Sequence, residues 1–327
     1  MDLTILIPTK NRHFHLKKIL NYYKDFNFSG KIFIFDSSDI KIFKKNSNIV
    51  KKQNNSNISL FKYQALPFQC FKKYQKLIKT KYVCYSGDDD FFLLKGLKKM
   101  IEFLERNKSA AGVNGTTITL GLLGKNYNKT SSFGIYKNFA SSKNNSILRL
   151  NDLMSMYLVP LFSLFRTKIF IKMLKVVPNK NEVSSCPSRA VNDELLESFY
   201  LTFLGRIFHK PYPYLIRTVS NLDKGYKLDH NEKGYEKSYN YLQKKIIEKI
   251  KNKKDYDVFN KNFNKFIRNR LKFLKSIKPK KFKLQNNFFI IKTIKFFYFK
   301  IKLNYFLFNS KDFKLFYNVI NWIKNNN

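Results

Sequence analysis

The sequence has few acidic residues, few cysteines and no long apolar run. Its 327 residues include 22 Asp and Glu against 63 Lys and Arg, a formal net charge of +41. The three cysteines, Cys70, Cys84 and Cys186, lie far apart and form no C-x-x-C pair, which argues against a disulfide framework and a thiolate zinc site. No uncharged stretch approaches the roughly 20 apolar residues that a membrane-spanning helix needs.

The N-terminus also lacks the features of an export signal. Its apolar run, Leu3 to Ile7, is too short for a signal peptide, and Asp2 stands where a basic region would be expected. A reducing, cytoplasmic location is therefore predicted. With 44% apolar residues the chain can bury a core, and we expect a globular protein.

The excess of positive charge has two explanations. A field of this size attracts phosphates, nucleic acid or anionic lipid. Lys, Asn, Ile, Phe and Tyr are abundant here, however, and all have A/T-rich codons. A genome biased toward A and T would produce much of this composition without selection for binding.

The first third of the chain alternates strand and helix patterns. A buried strand is predicted over 3–7, a helix through 16–23 and a second strand over 31–35, which together indicate a parallel βαβ unit. A polar stretch over 44–57 shows no such pattern. The next predicted elements are a strand over 58–61, a helix through 71–78 and a strand over 82–85.

Beyond residue 90 the pattern continues less regularly. We predict a helix through 97–104, a strand over 112–120, a loop over 121–146, strands at LVPLFSLFR and PYPYLIRTVSN, and a helix at NDELLESFYLTFL. After about residue 225 the sequence is typical of Lys-rich amphipathic helix.

Three polar clusters follow the predicted strands: PTKNR, DSSD and GDDD. Ligands of open α/β sheets bind at the carboxyl ends of the strands, so these clusters are candidates for one site. DSSD, residues 36–39, could also simply cap a helix. In GDDD, the adjacent Asp88, Asp89 and Asp90 repel one another unless a cation or hydrogen-bond donor compensates them. Such hard oxygen ligands suit Mg²⁺ or Mn²⁺ bound together with substrate phosphates.

The segments TILIPTKNR, FIFDSSD and YVCYSGDDDF resemble, in order and spacing, the nucleotide-sugar domain of family 2 glycosyltransferases. The resemblance covers about residues 1–120 and weakens toward 220. It implies an α/β fold of the GT-A type, with a mostly parallel sheet flanked by helices and followed by a basic helical C-terminal extension. The implied division is a catalytic domain over 1–225 and a Lys- and aromatic-rich helical region over 226–327.

The resemblance also implies roles for individual residues. Asp88 and Asp90 would bind Mn²⁺ or Mg²⁺ on the donor diphosphate. The residues expected to bind the nucleotide are Pro8, Thr9, Asn11, Arg12, Asp36, Asp88 and Asp89. The expected donor is a nucleotide-sugar, with UDP-sugar favoured. The expected acceptor is a glycan or a lipid-linked molecule, and the setting is bacterial surface polysaccharide synthesis.

Inverting transfer needs a general base, which the family usually carries in an acidic pair at a helix start. The segment AVNDELLESF offers Asp193 and Glu194. The usual order of the pair is Glu then Asp, and here it is reversed; we favour Asp193. Acids at a helix start also occur for capping and dipole reasons alone.

The last part of the chain, residues 271–327, contains thirteen Lys and one acidic residue, Asp312, mixed with Phe, Tyr and Trp322. It predicts either a helical subdomain packed on the core or an anchor on an anionic membrane surface, which would make the protein peripheral to the membrane. We recognise no pattern of an RNA- or DNA-binding fold, and nucleic acid is not the expected partner.

Two other functions are alternatives to sugar transfer. A nucleotidyltransferase would share an α/β fold and paired metal-binding carboxylates. It would normally carry a Gly-rich loop after the first strand, and PTKNRHFH has no glycine. A non-enzymatic, basic surface-binding protein would tolerate neutralisation of Asp88, Asp89 and Asp90, whereas an enzyme would not.

Overall fold

The computed structural model describes residues 1–123, 129–156, 158–188, 191–220, 232–276 and 313–326. The strands are β1 (Leu3–Thr9), β2 (Lys31–Asp36), β3 (Ile58–Lys62), β4 (Tyr82–Tyr85), β5 (Asp90–Phe92), β6 (Ala110–Leu123), β7 (Lys129–Tyr136), β8 (Leu164–Arg166) and β9 (Arg206–Ser220). The helices are α1 (His13–Asp25), α2 (Ile40–Lys52), α3 (Pro67–Tyr74), α4 (Leu94–Arg106), α5 (Ser146–Met156), α6 (Thr167–Leu174), α7 (Leu196–Leu204), α8 (Glu232–Ile247), α9 (Lys253–Ser276) and α10 (Phe313–Asn325).

These strands form one mixed sheet with helices on both faces. The order is β3-β2-β1-β4-β8-β6-β9-β5, and β7 pairs with β6. Strands β1 to β4 are parallel to one another, β6 and β9 are parallel, and β5, β7 and β8 run antiparallel to their neighbours. The predicted α/β fold with its flanking helices and C-terminal helices is confirmed.

The mostly apolar character of β1 follows from its place in the sheet. Leu3, Ile5 and Ile7 point into one hydrophobic cluster, and Leu6 belongs to the cluster on the other face. A parallel strand covered by helices on both sides has no solvent-facing positions, so it does not alternate apolar and polar residues.

Two sequence predictions about elements were wrong, and one helix had not been predicted. The expected loop over 121–146 contains β7, a strand with Ser and Thr. It is stabilised by pairing with β6 and not by an apolar pattern of its own. The polar stretch over 44–57 contains most of α2, which begins at Ile40. The apolar run over 158–166 forms a strand only at Leu164–Arg166, since Pro160 and a turn precede it.

The C-terminal helices pack on the sheet. Tyr239 of α8 and Phe263 of α9 share a hydrophobic cluster with Leu6 of β1. On the other face, Trp322 of α10 donates from Nε1 to the Asp25 carboxylate at 3.0 Å. For residues 313–326 the packed-helix alternative is therefore confirmed, and Trp322 is not a free membrane anchor.

Two further observations bear on the membrane prediction. The membrane anchor was predicted for the whole tail over 271–327, and its residues 277–312 fall outside the described residues. Within the described ranges, no helix is both long and apolar enough to cross a bilayer.

Candidate active site

A cleft of about 1100 Å³ opens at the carboxyl ends of β1, β2 and β4. Thr9 ends β1, Ser37 follows β2 and Asp88 follows β4, and all three line the cleft. This is the edge at which parallel sheets bind ligands. Later parts of the chain complete the lining with Tyr136, Leu161, Phe162, Glu194, Arg217, Tyr235, Tyr239 and Arg270.

The three consecutive aspartates form a tight turn between β4 and β5. The Ser86 hydroxyl donates to the Asp90 carbonyl oxygen at 3.0 Å, and the Asp90 N–H donates to the Gly87 carbonyl oxygen at 3.3 Å. A Cβ on Gly87 would lie 2.9 Å from a carboxylate oxygen of Asp89 and 3.0 Å from one of Asp90. The turn thus folds the carboxylates back over Gly87, and a side chain there would push them aside. Asp88 and Asp90 are buried, and Asp89 is half-buried.

Arg12 joins this turn to the loop after β1. Its Nη1 donates to Asp88 Oδ1 at 2.7 Å, and its Nη2 donates to Asp89 Oδ2 at 2.6 Å. The Thr9 hydroxyl donates to the other oxygen of Asp88 at 2.7 Å. Such charge-assisted hydrogen bonds fix both side chains and backbone loops. Two motifs that lie far apart in the sequence therefore meet in space.

A second arginine, Arg217 of β9, faces Asp90. The two residues are cross-strand partners in the antiparallel pair of β5 and β9, and Arg217 Nε lies 3.6 Å from Asp90 Oδ2. The guanidinium carbon lies 4.1 Å from the ring centroid of Phe162 and 5.1 Å from that of Tyr136. Contacts with the two rings hold the guanidinium beside the aspartates as a fixed positive charge.

Both buried carboxylates have raised pKa values. Burial is the main cause for Asp88, and the neighbouring Asp89 adds to it against the opposing charge of Arg12. Burial also raises the pKa of Asp90, and the charge of Arg217 opposes this shift. The two arginines do not fully compensate the cluster. Further positive charge at this point would stabilise the ionised carboxylates.

This set of donors fits a divalent cation shared with a bound diphosphate. Mg²⁺ commonly uses one or two protein carboxylates together with phosphate oxygens, and Mn²⁺ accepts the same ligands. Asp88 and Asp90 supply carboxylates at the cleft. Across the described residues, no group of three or more His, Cys, Asp or Glu could hold a metal ion. The remaining ligands would therefore come from phosphate and water.

The acidic turn after β2 is built differently. Asp36 is fully buried, and its carboxylate accepts from the Ser38 N–H at 2.7 Å and from Asn46 Nδ2 at 2.8 Å. It is not among the described residues that line the cleft. Asp39 accepts from the Ile42 N–H at 2.9 Å and caps α2, which confirms the capping alternative for this residue. The nucleotide-binding role of Asp36 stays a prediction.

Asn11 connects the ends of β1 and β2. Its φ of 57° is left-handed, a conformation that Asn tolerates better than most residues. Its N–H donates to the Ser38 hydroxyl at 2.7 Å, and its Oδ1 accepts from the Asp39 N–H at 3.1 Å. Pro8 lines the cleft and Asn11 is exposed. Their predicted contacts with a nucleotide remain predictions.

The acidic pair predicted to carry the base lies in a π-helical turn, Val191–Leu195, directly before α7. Glu194 lines the cleft. Burial raises the pKa of both Tyr136 and Tyr239, and the nearby Glu194 contributes to each shift. Glu194 is thus brought into the same cleft as the three aspartates. The Asp193 side chain is outside the described part of the structure, so its role stays a prediction.

Sequence reasoning missed several residues of the cleft. Arg217 lies within a strand that was predicted, but only its pairing with β5 places it opposite Asp90. Tyr235 and Tyr239, four residues apart on α8, and Arg270 of α9 also line the cleft. Helical spacing could have placed the two tyrosines on one face. Nothing in the sequence pattern marks Arg270, because its position depends on how α9 packs.

The likeness to solved glycosyltransferase structures gives the class of fold. It is a GT-A-like glycosyltransferase fold, as the motifs predicted. No protein-family model matches the chain, and no curated protein matches it in sequence.

Particular solved structures show the likeness. A structure of S. aureus TarS aligns with a TM-score of 0.53 and 15% identity, over 87% of this chain and 46% of that one. A structure of S. aureus TarS 1-349 aligns with a TM-score of 0.54 and 15% identity, over 86% of this chain and 76% of that one. The mannosyltransferase PcManGT from Pyrobaculum calidifontis, in complex with GDP-Man and Mn²⁺, aligns with a TM-score of 0.47 and 9% identity, over 98% and 84% of the chains. At such identities the TarS structures show a shared fold.

Proposed function

We propose that this chain is a glycosyltransferase that transfers a sugar from a nucleotide-sugar to a glycan or lipid-linked acceptor, with inversion and with a divalent cation. One observation carries the proposal. Asp88 and Asp90 are buried at the cleft with raised pKa values, between Arg12 and Arg217. Such a site offers negative charge to a cation and positive charge to phosphates.

The donor would bind along the strand ends. Pro8 and Thr9 line the cleft beside the aspartates, and Arg12 is fixed to Asp88 and Asp89. A bound Mn²⁺ or Mg²⁺ would act as a Lewis acid on the diphosphate. The resemblance favours UDP as the nucleotide, and a role in bacterial surface polysaccharide synthesis also follows from it.

The arginines would stabilise the leaving group. When the bond between sugar and phosphate breaks, negative charge develops on the diphosphate oxygens. Fixed guanidinium groups in a partly buried site stabilise such charge without having to reorganise during the reaction. Arg217 is held in this way by Phe162 and Tyr136.

The acceptor hydroxyl must lose a proton as it attacks the sugar from the side opposite the leaving group. One carboxylate of the pair Asp193 and Glu194 would accept that proton. The position of Glu194 in the cleft supports Glu194 as the base. Asp193, favoured from the sequence, is the alternative.

Thermal-shift screening of the full chain against UDP-, GDP- and CMP-sugars, each with Mn²⁺, with Mg²⁺ and with EDTA, tests the proposal. A ligand that binds the native state raises the unfolding temperature. We expect one nucleotide class to stabilise the protein, and to do so only with a cation. The variant Asp90→Asn should lose this response, and the matched variant Asp39→Ala should retain it.

Product analysis separates sugar transfer from its rivals. Sugar transfer releases a nucleoside diphosphate or monophosphate, whereas a nucleotidyltransferase acting on a nucleoside triphosphate releases pyrophosphate. Stabilisation by nucleoside triphosphates with pyrophosphate release would overturn the proposal. Equal behaviour of wild type and Asp90→Asn with every nucleotide-sugar would favour a non-enzymatic surface-binding protein.

A further inference from the structure

The starts of α1 and α2 present large apolar side chains to solvent. Phe14 is 72% exposed, the most of any large apolar residue in the described chain, and Ile40 is 57% exposed. The His13 ring lies 4.1 Å from that of Phe14 and covers part of it, and burying the exposed remainder of either side chain would be favourable. Exposed apolar side chains that lie together often mark an interaction surface.

The two residues belong to one edge of the molecule. β1 and β2 are parallel and in register up to Thr9 and Asp36, so the helices that follow begin at the same level of the sheet. The hydrogen bonds of Asn11 to Ser38 and Asp39 hold the two connecting loops together. Phe14 and Ile40 therefore project from neighbouring helix starts.

Most charged residues on these loops and helix starts are basic. The first turns of α1 and α2 contain no acidic residue. The exposed lysines of these loops and of the first two turns of α1 and α2 are Lys10, Lys17, Lys41, Lys44 and Lys45. Helix starts favour acidic residues, because the amino end of the helix dipole is positive. Asp39 meets this preference as the N-cap of α2, and the lysines around it leave this edge of the molecule strongly basic.

We propose that this edge, which we call the Phe14 surface (Lys10, Phe14, Lys17, Ile40, Lys41, Lys44 and Lys45), docks on an anionic lipid bilayer. Lysines near an anionic leaflet are attracted to it, and adjacent apolar side chains can enter the interface. Nucleic acid would attract the lysines but would not bury Ile40, because an aliphatic side chain cannot stack on bases. The combination of aliphatic, aromatic and lysine side chains thus fits a bilayer better than nucleic acid.

Docking would orient the cleft. Lys10 belongs to the Phe14 surface and also lines the cleft, so the cleft opens beside the bilayer. A lipid-linked acceptor could then reach the aspartate turn from the membrane. This last step rests on the proposed function. The docking itself does not, because vesicle binding needs neither donor nor acceptor.

A fluorophore placed on the surface tests the docking at the level of single residues. All three native cysteines are buried, so a cysteine introduced by Phe14→Cys or Ile40→Cys in the full chain can be labelled selectively with the polarity-sensitive dye NBD. Leu77→Cys is the matched control. Leu77 is 45% exposed between the exposed Lys76 and Lys79. It precedes β4, however, and therefore lies at the amino ends of the parallel strands, on the side opposite the cleft.

With vesicles of phosphatidylcholine and phosphatidylglycerol at low salt, the dye at 14 and at 40 should shift to the blue and brighten. It should not respond to vesicles of phosphatidylcholine alone, and high salt should reverse the shift. The dye at 77 should show no change. If the protein sediments with anionic vesicles while the dye at 14 and 40 keeps its aqueous spectrum, the Phe14 surface is not the docking site. A blue shift with an oligonucleotide in place of vesicles would likewise overturn the proposal.

Sedimentation supplies the second measurement. Phe14→Ser combined with Ile40→Ser should weaken partition onto anionic vesicles by about tenfold, since two apolar side chains no longer enter the interface. Leu77→Ser should leave partition unchanged. Equal partition of the double variant and wild type would contradict the proposal. Thermal-shift responses to nucleotide-sugars should be the same in all three proteins, so failure of docking and failure of the transferase proposal can be told apart.

Discussion

Two acidic turns follow strands β2 and β4 of the same sheet, and they have different physical roles. In the turn after β2, Asp36 receives two hydrogen bonds inside the protein and Asp39 caps α2. In the turn after β4, Asp88 and Asp90 line the cleft, and their pKa values are raised. The carboxylates of the turn after β2 are satisfied within the chain, whereas those of the turn after β4 would be stabilised by additional positive charge. The difference indicates which carboxylates are available to a ligand.

The largest effect is expected from the turn after β4. Asp90→Asn should reduce sugar transfer by about a thousandfold or more, because the proposed reaction needs its charge to hold the cation on the diphosphate. Isothermal titration calorimetry with UDP and GDP, in Mn²⁺ and in EDTA, should show cation-dependent binding that the variant lacks. Undiminished affinity in EDTA would remove the metal from the proposal.

Substitutions in the acidic pair before α7 should lower turnover without changing nucleotide affinity. Glu194→Gln should lower turnover by about a hundredfold or more, since only proton transfer from the acceptor is removed. Nucleotide affinity by calorimetry should stay within about twofold of wild type. Asp193→Asn is the comparison. If Asp193→Asn loses turnover and Glu194→Gln keeps it, the assignment within the pair is reversed.

Substitutions in the turn after β2 should change the free energy of unfolding. Asp36→Ala should lower the free energy of unfolding by about 2 to 4 kcal/mol, because the amide of Asn46 and the N–H of Ser38 lose a charged acceptor in the interior. Asp36→Asn should cost less, since it keeps one acceptor oxygen. Urea denaturation measures both. A stable Asp36→Ala protein that fails to bind nucleotide would instead support the predicted nucleotide role.

The pH dependence of stability should distinguish the two turns. In the folded protein the pKa values of Asp88 and Asp90 are raised from 3.8 to about 7, chiefly by burial. The folded state then holds more protons than the unfolded state between about pH 4 and pH 7, so the free energy of unfolding falls as pH rises through this window. We expect these groups to contribute a decrease of about 1 to 3 kcal/mol in EDTA.

Urea denaturation of Asp90→Asn across the same pH range provides the control. The variant should show a smaller decrease, because one of the two shifted groups no longer titrates. A decrease as steep in Asp90→Asn as in wild type would show that other groups cause it.

The smallest effect is expected at the cap of α2. Asp39→Ala should lower the free energy of unfolding by about 1 kcal/mol, which is typical for loss of an N-cap side chain. Calorimetry should show unchanged binding of UDP and GDP. A clear loss of nucleotide affinity in this variant would mean that both acidic turns contact the donor, and the contrast between them would fail.

The sequence was sufficient to predict that PTKNR and GDDD meet. Both follow strands of a parallel unit, and the ends of parallel strands share an edge, so connectivity alone places Arg12 near Asp88. It was not sufficient for β7 or Arg217. The strand β7 depends on pairing with β6, and Arg217 meets Asp90 only because β5 and β9 run antiparallel in one register. Such long-range pairings leave no local period in the sequence.

The sequence by itself determined the alternation of strands and helices in the first third of the chain and the edge at which the polar residues collect. Local periodicity and short connections set these features, so they can be read without knowing the rest of the fold. Only the tertiary structure decided which carboxylates are already satisfied. Asp36 and Asp90 are the same residue type, the last residue of β2 and the first of β5, but Asn46 reaches the first and a cleft opens beside the second. Burial and hydrogen bonding depend on contacts between distant segments, and those contacts exist only in the folded chain.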